Sequence, residues 1–388
     1  METLVDSLIK DDNFIDIIKE CNDSKSYNSL KLFSKIFNIP YKCDGKKTIK
    51  VLCSCNWTSN KDLCQTLNKM SENSNYKWGD IEIIWEPPNN DPKKVDYFCI
   101  FNKPCHNFTY DITKTLVFQM EPNMKKHPEL WDEFADPSKD KFMFVGNHSE
   151  SHNNLEWHIN KTYKQLKNEP IIKDESLNYS ISTILSDRYQ DIGQVKRIDF
   201  AKFIEHGGVP PLTPIDGGVP PLTPIAVKTL PDAGTSRWLV PDASMGRWPI
   251  VDVFGGNKFL WKNYKGTLPY HCKDDGLMPY KYHFNAENNK IPNYFTEKLV
   301  DGILSECLVF YCGCPNVREY IDPRAYVQLE LSNFEKDYEV IKKAIKDNLW
   351  EQRLPFIREA KKKILDEMQF FPRIEKIIKN RNFDTHFQ

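Results

Sequence analysis

The feature that most constrains this chain is a rhythm. Short β-rich runs alternate with helix-periodic segments in two successive series, one from Lys47 to Asn147 and one from Ser180 to about residue 330. The first series holds TIKVLCSC (48–55), the helical NKDLCQTLNKM (60–70), DIEIIWE (80–86), VDYFCIFN (95–102), KTLVFQME (114–121) and KFMFVGN (141–147). The second holds SISTILS (180–186), the helical DIGQVKRIDFAKFIE (191–205), PIVDVFGG (249–256), KYHFNAE (281–287), the helical TEKLVDGILSE (296–306) and CLVFYCG (307–313). Strands that are apolar along their whole length, and separated by helices, predict mostly parallel sheets covered on both faces. Ligands of such sheets bind at the carboxyl ends of the strands. Two series predict two Rossmann-like α/β domains whose sheets face each other across a cleft.

At 388 residues the chain suits two domains with extensions, and 40% apolar with 13% aromatic residues supplies two cores. Residues 1–44 read as a helical N-terminal extension, 45–175 as the first domain, 176–333 as the second, and 334–388 as C-terminal helices with a lysine-rich outer face. A net charge of −1 argues against a nucleic-acid partner, so any anion site must be local. Eleven scattered cysteines cannot all pair, and Cys53-Ser-Cys55 and Cys312-Gly-Cys314 lack the usual zinc spacing, so they read as structural thiols in a reducing compartment. The N-terminus has the periodicity of an amphipathic helix rather than of a secretory signal, and no run of about 18 apolar residues marks a transmembrane segment. The expectation is a cytoplasmic protein.

One block breaks the pattern. GGVPPLTPID and GGVPPLTPIA stand in tandem from 207 to 226, followed by LPDAGTSRW and VPDASMGRW, in a stretch nearly free of the Lys and Asn that dominate elsewhere. Residues 207–247 therefore read as an extended surface insert in the link between a helix ending near Glu205 and a strand starting at Ile250.

In the second half, YKYHFNAENN (280–289), YFTEKLVDGIL (294–304) and VFYCGCPNV (309–317) follow one another in fixed order. In this order and spacing they resemble the α1,3-fucosyltransferase family, glycosyltransferase family 10. Upstream, SISTILS, Arg197 in QVKRIDF and VDVFGG match the family's serine-rich strand, helix arginine and V-D-x-x-G strand, so the resemblance spans about 180–330. Ala286 stands where the family usually has an aromatic residue, and Asn289 where it has Ser or Thr.

The resemblance implies a GT-B type α/β fold and an inverting fucosyl transfer from GDP-fucose to a glycan or glycoprotein acceptor, with no cofactor. By the same carry-over, Arg197 and Lys298 would hold the diphosphate, Tyr294 and Glu297 the nucleotide or its ribose, and Glu287 and Asn288 the donor sugar. The leaving diphosphate gains charge in the transition state, and no apolar strand ends in Asp-x-Asp to hold a metal, so cationic side chains and a helix start would neutralise it. Glu121, at the end of LVFQME, is the candidate general base. Glu156, in NNLEWHINKTY and read as the inner face of a helix, is the second. His148 and His152, four apart, have metal spacing only if helical, and Gly146 and Asn147 make that stretch a loop. Two other readings stay open: a nucleotide- or carbohydrate-binding protein of the same fold with little turnover, and a transferase using another nucleotide sugar.

Overall fold

The computed structural model describes residues 48–209 and 249–384. The N-terminal extension and nearly all of the tandem insert lie outside the described residues. All described residues except Thr48 belong to one unit beginning at Ile49.

That unit contains two six-stranded sheets. The first uses β1 (Ile49–Cys55), β2 (Lys77–Trp78), β3 (Ile81–Ile84), β4 (Tyr97–Phe101), β5 (Thr115–Phe118) and β6 (Phe144–Gly146) in the order β2-β3-β1-β4-β5-β6. Every pair in it is parallel except β2 with β3. The second uses β7 (Ser180–Leu185), β8 (Ile250–Gly255), β9 (Tyr264–Gly266), β10 (Tyr282–Ala286), β11 (Leu308–Cys312) and β12 (Tyr326–Gln328) in the order β12-β11-β10-β7-β8-β9, parallel throughout. Each predicted strand run forms a strand. The short strands β2, β9 and β12 give no signal in the sequence, because two or three residues carry no periodicity.

Both sheets start in the middle, build out to one edge, then return to build the other. The reversal falls between β1 and β4 in the first sheet and between β7 and β10 in the second, and a crevice opens at the carboxyl ends of the strands where such a reversal occurs. β10 and β11 are buried at every position, which is why YHFNA and LVFYC read as runs rather than alternations.

The helices between strands include α1 (Asn60–Asn68) in the first half, and α2 (Ile192–Glu205) and α3 (Glu297–Leu304) in the second. Asp191 and Gln194 close a capping box on α2, and Thr296 caps α3 by accepting from Lys298 N. The helix α2 ends at Glu205 and β8 begins at Ile250, on either side of the insert.

The C-terminal helices α4 (Phe334–Lys346), α5 (Leu349–Lys363) and α6 (Phe370–Asp384) cross from one sheet to the other. Phe334 packs on Phe200 and Phe203 of α2, whereas Phe370 packs on Phe101 of β4 and Phe371 stacks on Trp78 of β2. Trp78 Nε1 donates to Glu375 at 3.1 Å and Gln369 Nε2 to Met70 O at 3.3 Å. Asn333 caps α4 by accepting from Lys336 N at 2.8 Å. Asn333→Ala should cost about 1 kcal/mol, read as a lower urea midpoint at unchanged slope. Among the described residues no helix is long and apolar enough to cross a membrane.

Candidate active site

A cavity of about 620 Å³ lies at the reversal point of the second sheet. Its walls come from the carboxyl ends of β7, β8 and β10 and from the first turns of α2 and α3, and that volume suits an organic ligand. Arg197, Asn288, Glu297 and Lys298 line it.

Arg197 projects from α2 and is 5% exposed, where a helix arginine would ordinarily be solvated. Its Nη1 donates to Ala286 O at 3.1 Å and to Asn288 Oδ1 at 2.9 Å, while its buried Nε has no partner among the described residues. Burial pulls its pKa down, opposed chiefly by Glu287 and then Glu297. The approach that brings it there requires Gly193. A Cβ at that position would lie 2.2 Å from Glu287 O and 2.4 Å from Asn288 O. Gly193→Ala should therefore push the first turn of α2 off the 287–288 turn, costing about 1–3 kcal/mol. Thermal melting checks this.

Lys298 and Glu297 open α3. Lys298 Nζ lies 3.3 Å from Glu297 Oε1 and donates to Thr296 Oγ1 at 3.2 Å. Glu297 Oε1 also faces Lys273 Nζ at 3.4 Å and His158 Nδ1 at 4.0 Å. Burial alone would raise the Glu297 pKa, but Lys298, Lys273 and His158 together hold it well below the usual carboxylate range. Lys273 in turn pairs with Asp301 at 2.8 Å.

A carboxylate depressed in the folded state stabilises the fold above its unfolded pKa, near 4.5, and that contribution is lost as pH falls toward the folded value. Glu297→Gln should therefore be less stable than the parent at pH 7, and the gap should narrow steadily below about pH 4.5. Paired melts across pH 3–7 read it.

Two of the residues that the motif resemblance brings forward sit behind the cavity wall. Glu287 is 3% exposed, and its oxygens accept from Thr296 N and Thr296 Oγ1, each at 2.8 Å, so it holds the turn that starts α3. Burial raises its pKa, with Lys298 opposing. Tyr294 is buried, its ring edge-on to His148 at 5.1 Å.

Glu121 comes from the first sheet. The strand does not run to it: β5 stops at Phe118, and Asn102 then takes over. Asn102 Oδ1 accepts from Met120 N at 2.6 Å and Glu121 N at 3.3 Å, turning the chain so that Glu121 leaves the sheet at its carboxyl edge. Glu121 remains open to solvent yet stands in a concave part of the surface. Desolvation there raises its pKa, with Lys298 pulling it down and Glu297 pushing it up. Those two neighbours open α3, so the Glu121 carboxylate lies within electrostatic range of the start of that helix. Among the described residues that carboxylate has no hydrogen bond or ion pair.

Glu156 is not on a helix. Residues 152–158 run without helical structure, because their backbone groups and side chains are spent on neighbouring segments instead: His158 N donates to Asp301 Oδ1 at 2.7 Å and Arg373 Nη1 to His152 O at 2.6 Å. Glu156 Oε1 lies 3.2 Å from His158 Nε2.

His148 and His152 fall in the loop after β6, as the glycine and asparagine predict. His148 joins the two halves: Nε2 lies 3.0 Å from Met120 O and Nδ1 3.2 Å from Asn293 O, while Asn293 Nδ2 donates to His148 O at 2.7 Å. It thereby sets Glu121, one residue from Met120, against Tyr294, one residue from Asn293.

Sequence reasoning passes over Lys273, His158 and Asp301. Lys273 lies in a segment with no periodic pattern, and only its folding against α3 brings it to Glu297. His283, on β10, gives no signal beyond a polar residue in an apolar strand. It is fully buried, bonded to Ser182 at 2.9 Å, and burial pushes its pKa down to about 3, so it is neutral in the cavity floor.

No protein-family model matches the chain, and no curated protein matches it. Solved structures with a similar chain path include three of α1,3-fucosyltransferase. The complex with GDP has a TM-score of 0.41 at 14% identity, over 84% of this chain and 93% of that one. A second structure has a TM-score of 0.42 at 14% identity, over 81% and 82%. The complex with GDP-fucose has a TM-score of 0.39 at 12% identity, over 86% and 95%.

Proposed function

We propose that this chain is an inverting, metal-independent glycosyltransferase that moves fucose from GDP-fucose to a glycan hydroxyl. One arrangement supports the reading most. Arg197, Lys273 and Lys298 gather at the carboxyl ends of the second sheet, and the Glu121 carboxylate, without an ion pair among the described residues, comes from the first sheet to within electrostatic range of Lys298.

In this reading the diphosphate lies against Arg197 and Lys298 at the start of α3. As the bond from the anomeric carbon to the phosphate oxygen breaks, its electron pair leaves with GDP, and these donors meet the growing charge. The acceptor hydroxyl approaches from the first sheet, its oxygen bonds to the anomeric carbon on the opposite face, and its proton passes to Glu121. Attack opposite the leaving group inverts the configuration. A raised pKa makes Glu121 the stronger base. Glu297, kept ionised by three cationic or basic neighbours, accepts from ribose hydroxyls, and Tyr294 acts from behind the wall, packed on His148. Asn288 at the cavity edge contacts the donor sugar, and Glu287 acts behind it by holding the Thr296 turn. The choice of GDP-fucose rests on the ordered motifs at 280–289, 294–304 and 309–317.

Thermal shifts with GDP, UDP and dTDP, each with and without EDTA, test this. GDP should stabilise selectively and indifferently to chelation, by about 2.7 kcal/mol at 100 times its dissociation constant. Equal shifts from all three nucleotides would sink the donor assignment, and a shift abolished by EDTA would sink metal independence.

A further inference from the structure

A second cavity, of about 760 Å³, shares no lining residue with the first and abuts it where Cys272 lines one and Lys273 the other. The turn after β1 supplies Trp57, residues after the first sheet supply Glu156 and Asn160, and the second half supplies Tyr270 and His271. Two large aromatic side chains here face solvent, Trp57 at 46% and Tyr270 at 83% exposure. Two exposed aromatics set together in one concavity beside convergent polar groups are what ligand grooves display, whereas singly scattered ones need no ligand. Among them stand hydrogen-bonding groups with capacity to spare. Among the described residues His271 Nδ1 has no partner, and the Glu156 carboxylate is engaged by His158 alone.

The two cavities share a wall one imidazole thick. His158 presents Nε2 to Glu156 at 3.2 Å on one side and Nδ1 to Glu297 at 4.0 Å on the other. His271 stands edge-on to His158 at 4.1 Å, and Tyr270 packs on His271 at 4.0 Å. Four consecutive residues serve both sides, since Tyr270, His271 and Cys272 line the second cavity and Lys273 lines the first. Backbone bonds fix that wall: Lys273 N donates to His158 O at 3.0 Å and Asn160 N to Asp274 Oδ2 at 2.6 Å.

We propose that this second cavity is the acceptor subsite and takes a saccharide of two or more rings, with the C–H face of a pyranose against Trp57 or Tyr270 and its hydroxyls on Glu156, Asn160 and His271. The inference rests on the glycosyltransferase reading, which requires an acceptor but does not place one. A pyranose with equatorial hydroxyls carries axial C–H groups on a flat face, and that face loses water against an aromatic ring while the equatorial hydroxyls stay at the rim for polar groups. A ring bound here lies beside the donor cavity, so the next ring of the same saccharide extends past His158 toward Glu297.

Saturation-transfer NMR on the full chain, with lactose, chitobiose and cellobiose as probes and a tyrosine-containing peptide as the non-sugar control, tests the placement. At least one disaccharide should bind. Its affinity should fall about tenfold or more in both Trp57→Ala and Tyr270→Ala, the loss of one aromatic anchor each, and should recover in Trp57→Phe and Tyr270→Phe. Both side chains are exposed, so melting temperatures should stay at the parent value, and the GDP shift should persist in all four variants. Absence of any disaccharide binding, preference for the peptide, or sugar binding undiminished in both alanine variants would overturn the proposal. If GDP gives no shift while disaccharide binding still depends on Trp57 and Tyr270, the donor reading fails and the saccharide site stands.

Discussion

Glu121→Gln should leave GDP binding intact and lower sugar transfer by about 10²–10⁴-fold, the usual worth of a positioned general base. The substitution keeps the shape of the side chain and the backbone bond from Glu121 N to Asn102 Oδ1, so the turn after β5 should not move. What disappears is a carboxylate that comes from the first sheet to within electrostatic range of the start of α3, with a free lone pair and a raised pKa. Under the proposed function, the same shift sets the acid limb of transfer by the parent protein. A protonated Glu121 cannot accept the hydroxyl proton, so transfer should rise with pH through a midpoint above 4.5, the ordinary carboxylate value, and the limb should vanish in the glutamine variant. The comparison variant is Glu156→Gln, which should change acceptor dependence rather than the chemical step. If Glu156→Gln is dead and Glu121→Gln turns over normally, the two roles must be exchanged. A protein that binds GDP and sugars but transfers none in either background is a binding protein, not an enzyme.

Lys298→Ala should weaken GDP binding by about 10- to 150-fold, the equivalent of one charge-assisted hydrogen bond of roughly 1.5–3 kcal/mol. It removes part of what holds Glu297 ionised, but Glu297 keeps Lys273 as a partner at 3.4 Å and Thr296 keeps Glu287, so the fold should survive. Arg197→Ala should weaken binding at least as much, but its effect on stability differs. The guanidinium is buried and bonds Ala286 O and Asn288 Oδ1, and stranding those acceptors should cost about 1–3 kcal/mol. The pair of variants thus separates ligand affinity from folding, with isothermal titration read beside urea denaturation. Unchanged GDP affinity in Lys298→Ala would remove the diphosphate from the start of α3.

Legibility in the sequence follows the range of the physics involved. β10, β11 and α3 can be read because their signals are local: apolar runs bounded by turn residues, and a Thr-Glu-Lys helix start ahead of a 3.6-residue apolar period. The burial of Arg197 cannot, since a helix arginine looks the same in sequence whether solvated or enclosed. Its burial depends on the absence of a Cβ at Gly193, where α2 meets the 287–288 turn. Glu156 misleads for the opposite reason. Its neighbours carry a helical spacing, but the tertiary bonds of His152 and His158 to Arg373 and Asp301 hold the backbone out of a helix.

By itself, then, the sequence determined two mostly parallel α/β sheets, the order of their main strands along the chain and a polar cluster at the start of α3, because burial pattern and capping are short-range properties. Only the tertiary structure decided which charges meet. Lys273 reaches Glu297 from 24 residues upstream, and His148 bonds Met120 28 residues before it and Asn293 145 residues after it. The C-terminal helices bind one sheet to the other through contacts as distant in sequence as Trp78 with Glu375. Such pairings carry no periodicity. They exist because backbone donors and acceptors, once buried by packing of the sheets and helices, must find partners wherever the fold has brought them.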